Sequence, residues 1–206
     1  MKPLLVLLHG WGYDASFWQP LIECLPDMAC VAWDLGYYGS PSFLPPDREA
    51  VAVGHSHGVQ WLLRQHPFAW TGLVSINGFS RFAVAPDLPQ GVPLAQIERL
   101  STALEEDPLG CLTGFRQRCG DMTPPPDGPN VARLRETLER LRDWDERPAL
   151  PDLALCGEGD KVVPASLSRA LFPEGITRWH AGGHLLPQQD PDWCAGEIRT
   201  WLKRAS

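Results

Sequence analysis

The segment Val51-Ala52-Val53-Gly54-His55-Ser56-His57-Gly58 constrains the fold of this chain more than any other. An apolar run of strand character leads straight into Gly-x-Ser-x-Gly, and a helical pattern from Gly58 to Gln65 follows. A strand that turns this sharply into a helix forces its serine into a strained backbone conformation and lifts the hydroxyl above the strand end. Glycines two before and two after the serine are required, because side chains there would collide with neighbouring backbone. A surface serine on a Gly-rich turn would need neither the strand nor the helix.

Five further apolar runs have strand character: Leu4–Leu8, Cys30–Trp33, Gly72–Ile76, Leu153–Cys156 and Ile176–Trp179, with Ala50–Gly54 the strand before the serine. Each ends at Gly, Asp or a polar cluster, and helical patterns alternate with them. That alternation predicts an α/β fold, a mostly parallel six-stranded sheet with helices on both faces. In such sheets a ligand site lies beyond the carboxyl ends of the strands. Ser16–Leu25 has the pattern of a first helix, and Asp192–Arg204 that of a closing amphipathic helix with Trp193, Ile198, Trp201 and Leu202 apolar. Only fifteen residues, rich in Gly, Pro and Tyr, separate Asp34 from Ala50. They are expected to form a loop or a single turn.

Residues 79–150 lack strand alternation and carry two helical patterns, Leu94–Glu106 and Val131–Trp144, separated by Pro124-Pro125-Pro126. This predicts a helical lid inserted between two sheet strands, over a core made of residues 1–78 and 151–206. A chain of 206 residues suits one such domain.

A serine hydroxyl needs an imidazole to take its proton, and the imidazole needs a carboxylate to fix its tautomer. In a strand–elbow–helix setting the chain order is serine, acid, histidine. Asp160 in Gly157-Glu158-Gly159-Asp160 follows a strand and is the expected acid, with Glu158 as the alternative; Asp152 precedes the strand and lies at the wrong end of the sheet. His184 in Ala181-Gly182-Gly183-His184 follows the last strand and is the expected base, with His180 as the alternative. His55 and His57 flank Ser56 too tightly to turn back on it, His66 reads as a surface residue and His9 as a structural one. Backbone amides of His57 and of Trp11, in His9-Gly10-Trp11-Gly12, are the expected oxyanion donors.

These four motifs together, with Val163-Pro164 after the acid, resemble the α/β-hydrolase superfamily along nearly the whole chain. Within it, Leu7-Leu8-His9-Gly10-Trp11-Gly12, then Phe17-Trp18 and Pro20-Leu21, and the run Phe115-Arg116-Gln117-Arg118-Cys119 are similar to the pimeloyl-acyl-carrier-protein methyl ester esterases of biotin synthesis. The resemblance implies cleavage of a methyl ester from a carrier-bound dicarboxylic acyl chain, in the cytoplasm, with no cofactor and no metal. It also implies that lid arginines, Arg116 and Arg118 among them, hold the acidic acyl carrier protein. Acids such as Glu136 and Glu139 pair with Arg140 and Arg135 at helical spacing, so a solvated helix face is the competing reading.

A serine at the elbow excludes the aspartate-dependent dehalogenases and epoxide hydrolases of this fold. Thioester hydrolysis and general carboxylester hydrolysis stay open, as does carbon–carbon bond hydrolysis. A non-catalytic binding module would be expected to lack one of the three groups, and none is missing. The net charge of −7 argues against non-specific nucleic-acid binding. The run Leu4–Leu8 is too short to span a bilayer and flows into His9-Gly10, so it reads as a buried strand rather than an export signal. Six scattered cysteines without metal-ligand spacing then read as reduced and packed.

Overall fold

Strands paired in parallel on both sides are covered on both faces and carry unbroken apolar runs. The computed structural model, which describes residues 3–205, contains six such strands: β1 (Leu4–Leu8), β2 (Cys30–Trp33), β3 (Ala50–His55), β4 (Gly72–Ile76), β5 (Leu153–Gly157) and β6 (Thr177–His180). They form one sheet of order β2-β1-β3-β4-β5-β6, and every pair is parallel. The four inner strands are buried throughout, whereas β2 and β6, at the edges, are only partly covered. The sheet is therefore wholly parallel where the sequence predicts mostly parallel. The last strand starts one residue later than expected, because Ile176 closes a short helical turn, Glu174–Ile176.

Side chains alternate across the pleat. Leu4, Val6 and Leu8 join one core layer with Leu62, Leu112 and Leu134, while Leu5 and Leu7 join the other with Phe17, Leu21 and Ile198. The helices are α1 (Gln19–Glu23), α2 (His57–Gln65), α3 (Leu94–Glu106), α4 (Pro108–Cys119), α5 (Val131–Asp143), α6 (Ala165–Leu171), α7 (Leu186–Gln189) and α8 (Pro191–Ala205). The second layer belongs to α1 and α8. The first belongs to α2, α6 and the helical segment between β4 and β5.

The expected first helix is split. Residues Ala15–Trp18 form a tight turn whose N-terminus is capped by Asp14, and α1 follows with Pro20 in its first turn. No helix forms in residues 34–49, as expected. The segment between β4 and β5 holds three helices where two patterns were legible. Helix α4 contains Gly110 and Gly114 and has little apolar periodicity, which hides it from pattern reading. Its boundaries are nevertheless written in the chain: Asp107 accepts from Gly110 N at 3.0 Å, Pro108 opens the helix, and Gly120 ends it at φ +92°. Helix α6, also unexpected, is a short turn of helix after Pro164.

Gly72 tests the docking of α8 on the sheet. A Cβ there would collide with the Trp201 ring, whose Cζ2 would lie 2.8 Å away and whose Cη2 closer still. Gly72→Ala is expected to push Trp201 aside and cost about 1–3 kcal/mol, as overpacking does, in urea unfolding. An unchanged unfolding midpoint would contradict this packing.

Candidate active site

The segments carrying the motifs follow β1, β3, β5 and β6, at the carboxyl-terminal end of the parallel sheet. Ser56 follows β3 with φ 53° and ψ −126° and is buried. Non-glycine residues rarely hold such a conformation, which costs about 1–3 kcal/mol and persists only where surroundings enforce it. The enforcement is visible: Ser56 N donates to Ile76 O at 3.1 Å, and Val59 N donates to Ser56 O at 3.1 Å. A Cβ on Gly54 would lie 2.7 Å from Val59 N, and one on Gly58 2.7 Å from His9 O. Both glycines therefore allow a backbone approach that no other residue permits. Gly10 is the third: a Cβ on it would lie 2.8 Å from Ser56 Cβ. The loop after β1 thus lies directly against the turn that carries Ser56, and Trp11 and His57 belong to these two abutting segments.

Asp160 and His184 meet. The His184 Nδ1 lies 2.7 Å from Asp160 Oδ2, with both side chains almost fully buried. Asp160 Oδ1 accepts from Val162 N at 2.7 Å and from Val163 N at 2.8 Å, so the carboxylate is held by donors on both oxygens. A carboxylate is acceptor-only, which makes Nδ1 the protonated nitrogen of His184 and leaves its Nε2 with a lone pair. His55 carries the contact from this pair to the serine turn. Its Nε2 donates to His184 O at 2.8 Å, and the two rings lie 4.7 Å apart.

The alternatives are engaged elsewhere. Glu158 is exposed and pairs with Arg169 at 3.3 Å. His180 lies 3.0 Å from Asp190 and accepts from Gly182 N through Nδ1. Asp152, at the opposite end of β5, accepts from Leu73 N at 2.8 Å. His9 is fully buried: its Nε2 accepts from Leu35 N at 3.1 Å, which leaves Nδ1 to donate to Gly10 O at 2.8 Å. Among the described residues, no group of three or more His, Cys, Asp or Glu could hold a metal ion, and no helix is long and apolar enough to cross a membrane.

Known proteins share this framework. An esterase from Exiguobacterium antarcticum superposes with a TM-score of 0.80 at 16% identity, covering 98% of this chain and 92% of that one. A thermophilic esterase from Thermogutta terrifontis gives 0.73 at 17% identity, covering 100% and 91%. This chain has the α/β-hydrolase fold. No protein-family model matches this chain. Curated relatives are similar to it in sequence along most of its length. The biotin biosynthesis bifunctional protein BioHC of Cellvibrio japonicus is 28% identical over an alignment 216 positions long, gaps included, which takes in 87% of this chain but 42% of that protein. The chain thus spans less than half of that two-function relative. The pimeloyl-[acyl-carrier protein] methyl ester esterase of Aromatoleum aromaticum is 28% identical over an alignment 240 positions long, gaps included, covering 94% of this chain and 96% of that one. Its namesake from Methylococcus capsulatus is 29% identical, covering 82% and 81%.

Two features of the site escaped sequence reasoning. Arg116, expected on a carrier-facing surface, is buried instead. Its Nε and one terminal nitrogen donate to Gly12 O at 3.3 and 3.1 Å, its guanidinium lies over the Tyr13 ring at 4.7 Å, and Asp121 is 3.7 Å away. Tyr38 also donates to Gly12 O, at 3.0 Å. Arg116 therefore fixes the loop after β1 and presents no free charge. Arg118, two residues on, is exposed and has no ion pair among the described residues. The second feature is Asn77, which follows β4 and bonds to both the β5 end and the His184 loop.

The histidines beside Ser56 are neutral. Burial, with the charge of Arg140, pushes His57 down to about 3, and burial with the neighbouring His184 holds His55 well below the usual range. Between 6.5 and about 3 the unfolded chain therefore binds protons that the folded chain refuses, so folding stability falls as pH drops through that window. His57→Phe is expected to flatten this part of the pH dependence in urea unfolding between pH 7 and 4. A slope identical to the unsubstituted protein's would contradict it.

Proposed function

We propose that this α/β-hydrolase is a serine carboxylesterase that works through an acyl-enzyme. Ser56 is the nucleophile, His184 the general base, and Asp160 orients the histidine and stabilises its charged form. The amides of Trp11 and His57 serve as oxyanion donors. The observation that carries the reading is the buried 2.7 Å Asp160–His184 pair, fastened through His55 to a serine held at positive φ.

In this mechanism Ser56 Oγ attacks the ester carbonyl carbon while its proton passes to His184 Nε2. The oxyanion that forms is met by the two amides. Collapse breaks the bond to the alcohol oxygen, which takes the proton from His184. Water then attacks the acyl-enzyme, again giving a proton to His184, and the second collapse releases the carboxylic acid and returns the proton to Ser56.

The substrate proposed is a carrier-linked acyl methyl ester, with methanol as the leaving alcohol, on the strength of the relatives' names. Residues 79–150 act as the lid over a core of residues 1–78 and 151–206. Support for a carrier comes from a groove of about 430 Å³ between α3 and α4, lined by Gln96, Arg99, Leu100, Ala103 and Arg118. Arg99 and Arg118 there suit an acidic carrier or its phosphate. Most other lid arginines are neutralised, Arg135 by Glu105 and Glu139, Arg142 by Asp143, Arg147 by Asp145 and Asp87.

A fluorophosphonate probe is expected to label Ser56. Ser56→Ala and His184→Ala should each lower ester turnover by about 10⁴-fold or more, with a smaller loss for Asp160→Asn. Unchanged turnover in either alanine variant would refute the assignment. With methyl esters presented free and carrier-linked, Arg118→Glu should raise KM for the carrier-linked ester alone. Equal use of both forms by the unsubstituted enzyme would overturn the carrier and leave a general carboxylesterase or thioesterase.

A further inference from the structure

The loop that delivers His184 has little stiffness of its own. It runs Ala181-Gly182-Gly183-His184, and two consecutive glycines give a backbone with more accessible conformations than any other dipeptide. A general base must nevertheless hold its ring to within a fraction of an ångström of the proton it takes. Something outside the loop has to fix it.

Asn77 occupies the position for that task. It lies immediately beyond β4, is 1% exposed, and adopts φ 47°, a conformation that asparagine tolerates better than other non-glycine residues. Its backbone N donates to Leu155 O at 2.8 Å, which continues the sheet ladder one residue past the strand. Its side-chain Oδ1 accepts from Gly157 N at 2.7 Å, and its Nδ2 donates to Gly183 O and to His184 O, both at 2.9 Å. The partners decide the orientation of the amide: an N–H must meet the oxygen, and carbonyls must meet the nitrogen. One rigid planar group thus joins the end of β5, three residues before Asp160, to the backbone of His184 itself.

We infer that Asn77 is a positioning residue that sets the distance between the acid's turn and the base's loop, acting through His184. This rests on the triad proposed above. An Asn-Gly pair after a strand is ordinarily read as a turn, and Gly78 does serve packing, since a Cβ on it would lie 2.7 Å from Val59 Cβ. Turn formation alone, however, would leave the asparagine side chain free. Here all three hydrogen bonds of the side chain go to the last residue of β5, which leads to Asp160, and to the loop that carries His184. Asp in its place would keep the acceptor for Gly157 N but turn a second oxygen toward two carbonyls. Ala would lose both links.

The test is a double-mutant cycle on the full chain, with urea unfolding of each variant to confirm that it is folded. Asn77→Ala is expected to lower kcat and the rate of Ser56 labelling by fluorophosphonate about 10- to 100-fold, the scale of an ångström-sized misplacement, with KM nearly unchanged. In the His184→Ala background the same substitution should cost nothing further, because the group it positions is gone. Asn77→Asp, which conserves size, should reproduce the kcat loss if the alanine variant does not fold. An Asn77 substitution that lowers turnover by the same factor with or without His184, or that lowers stability while kcat stays unchanged, would overturn the inference. Failure of the triad reading gives a different result: His184→Ala alone would then leave turnover intact.

Discussion

The backbone at Ser56 sits in a region of conformational space that a serine does not choose, and what holds it there is the close approach of three chain segments. Gly54, Gly58 and Gly10 each lie where a methyl group would strike a neighbour, so β1, β3 and α2 meet at distances open only to glycine. The parallel sheet makes this approach rigid, with its inner strands buried on both faces. Local strain at one residue is thereby sustained by packing across the whole domain.

Much of this was legible in the chain. Strand runs in a parallel sheet are continuous and apolar, so their ends are sharp, and the segments following them at Ser56, Asp160 and His184 could be placed by order alone. Leu94–Glu106 was likewise readable because its apolar residues recur at helical spacing. Helix α4 was not, since its glycines and buried arginine break the pattern, and only its capping residues mark it.

Arg116 and Asn77 show a different limit. An arginine in a charged helical region reads as a surface residue, and an Asn-Gly pair reads as a turn. What each does depends on which carbonyls lie opposite it: Gly12 O for Arg116, and Gly183 O with His184 O for Asn77. Those partners are over a hundred residues away in sequence, and no local pattern announces them.

The loop after β1 is gripped from above as well as from beneath. Trp11 donates from its indole to Leu134 O of α5 at 2.9 Å and meets Phe115 of α4 edge-on at 4.8 Å, while Arg116 and Tyr38 hold the Gly12 carbonyl. Helices α4 and α5 are thereby stitched to the loop after β1. Raising them as a rigid flap would break these bonds, at about 1 kcal/mol for a neutral one and about 2 for those from the guanidinium. Any displacement of α4 or α5 is accordingly coupled to the loop that carries Trp11, one of the segments abutting Ser56.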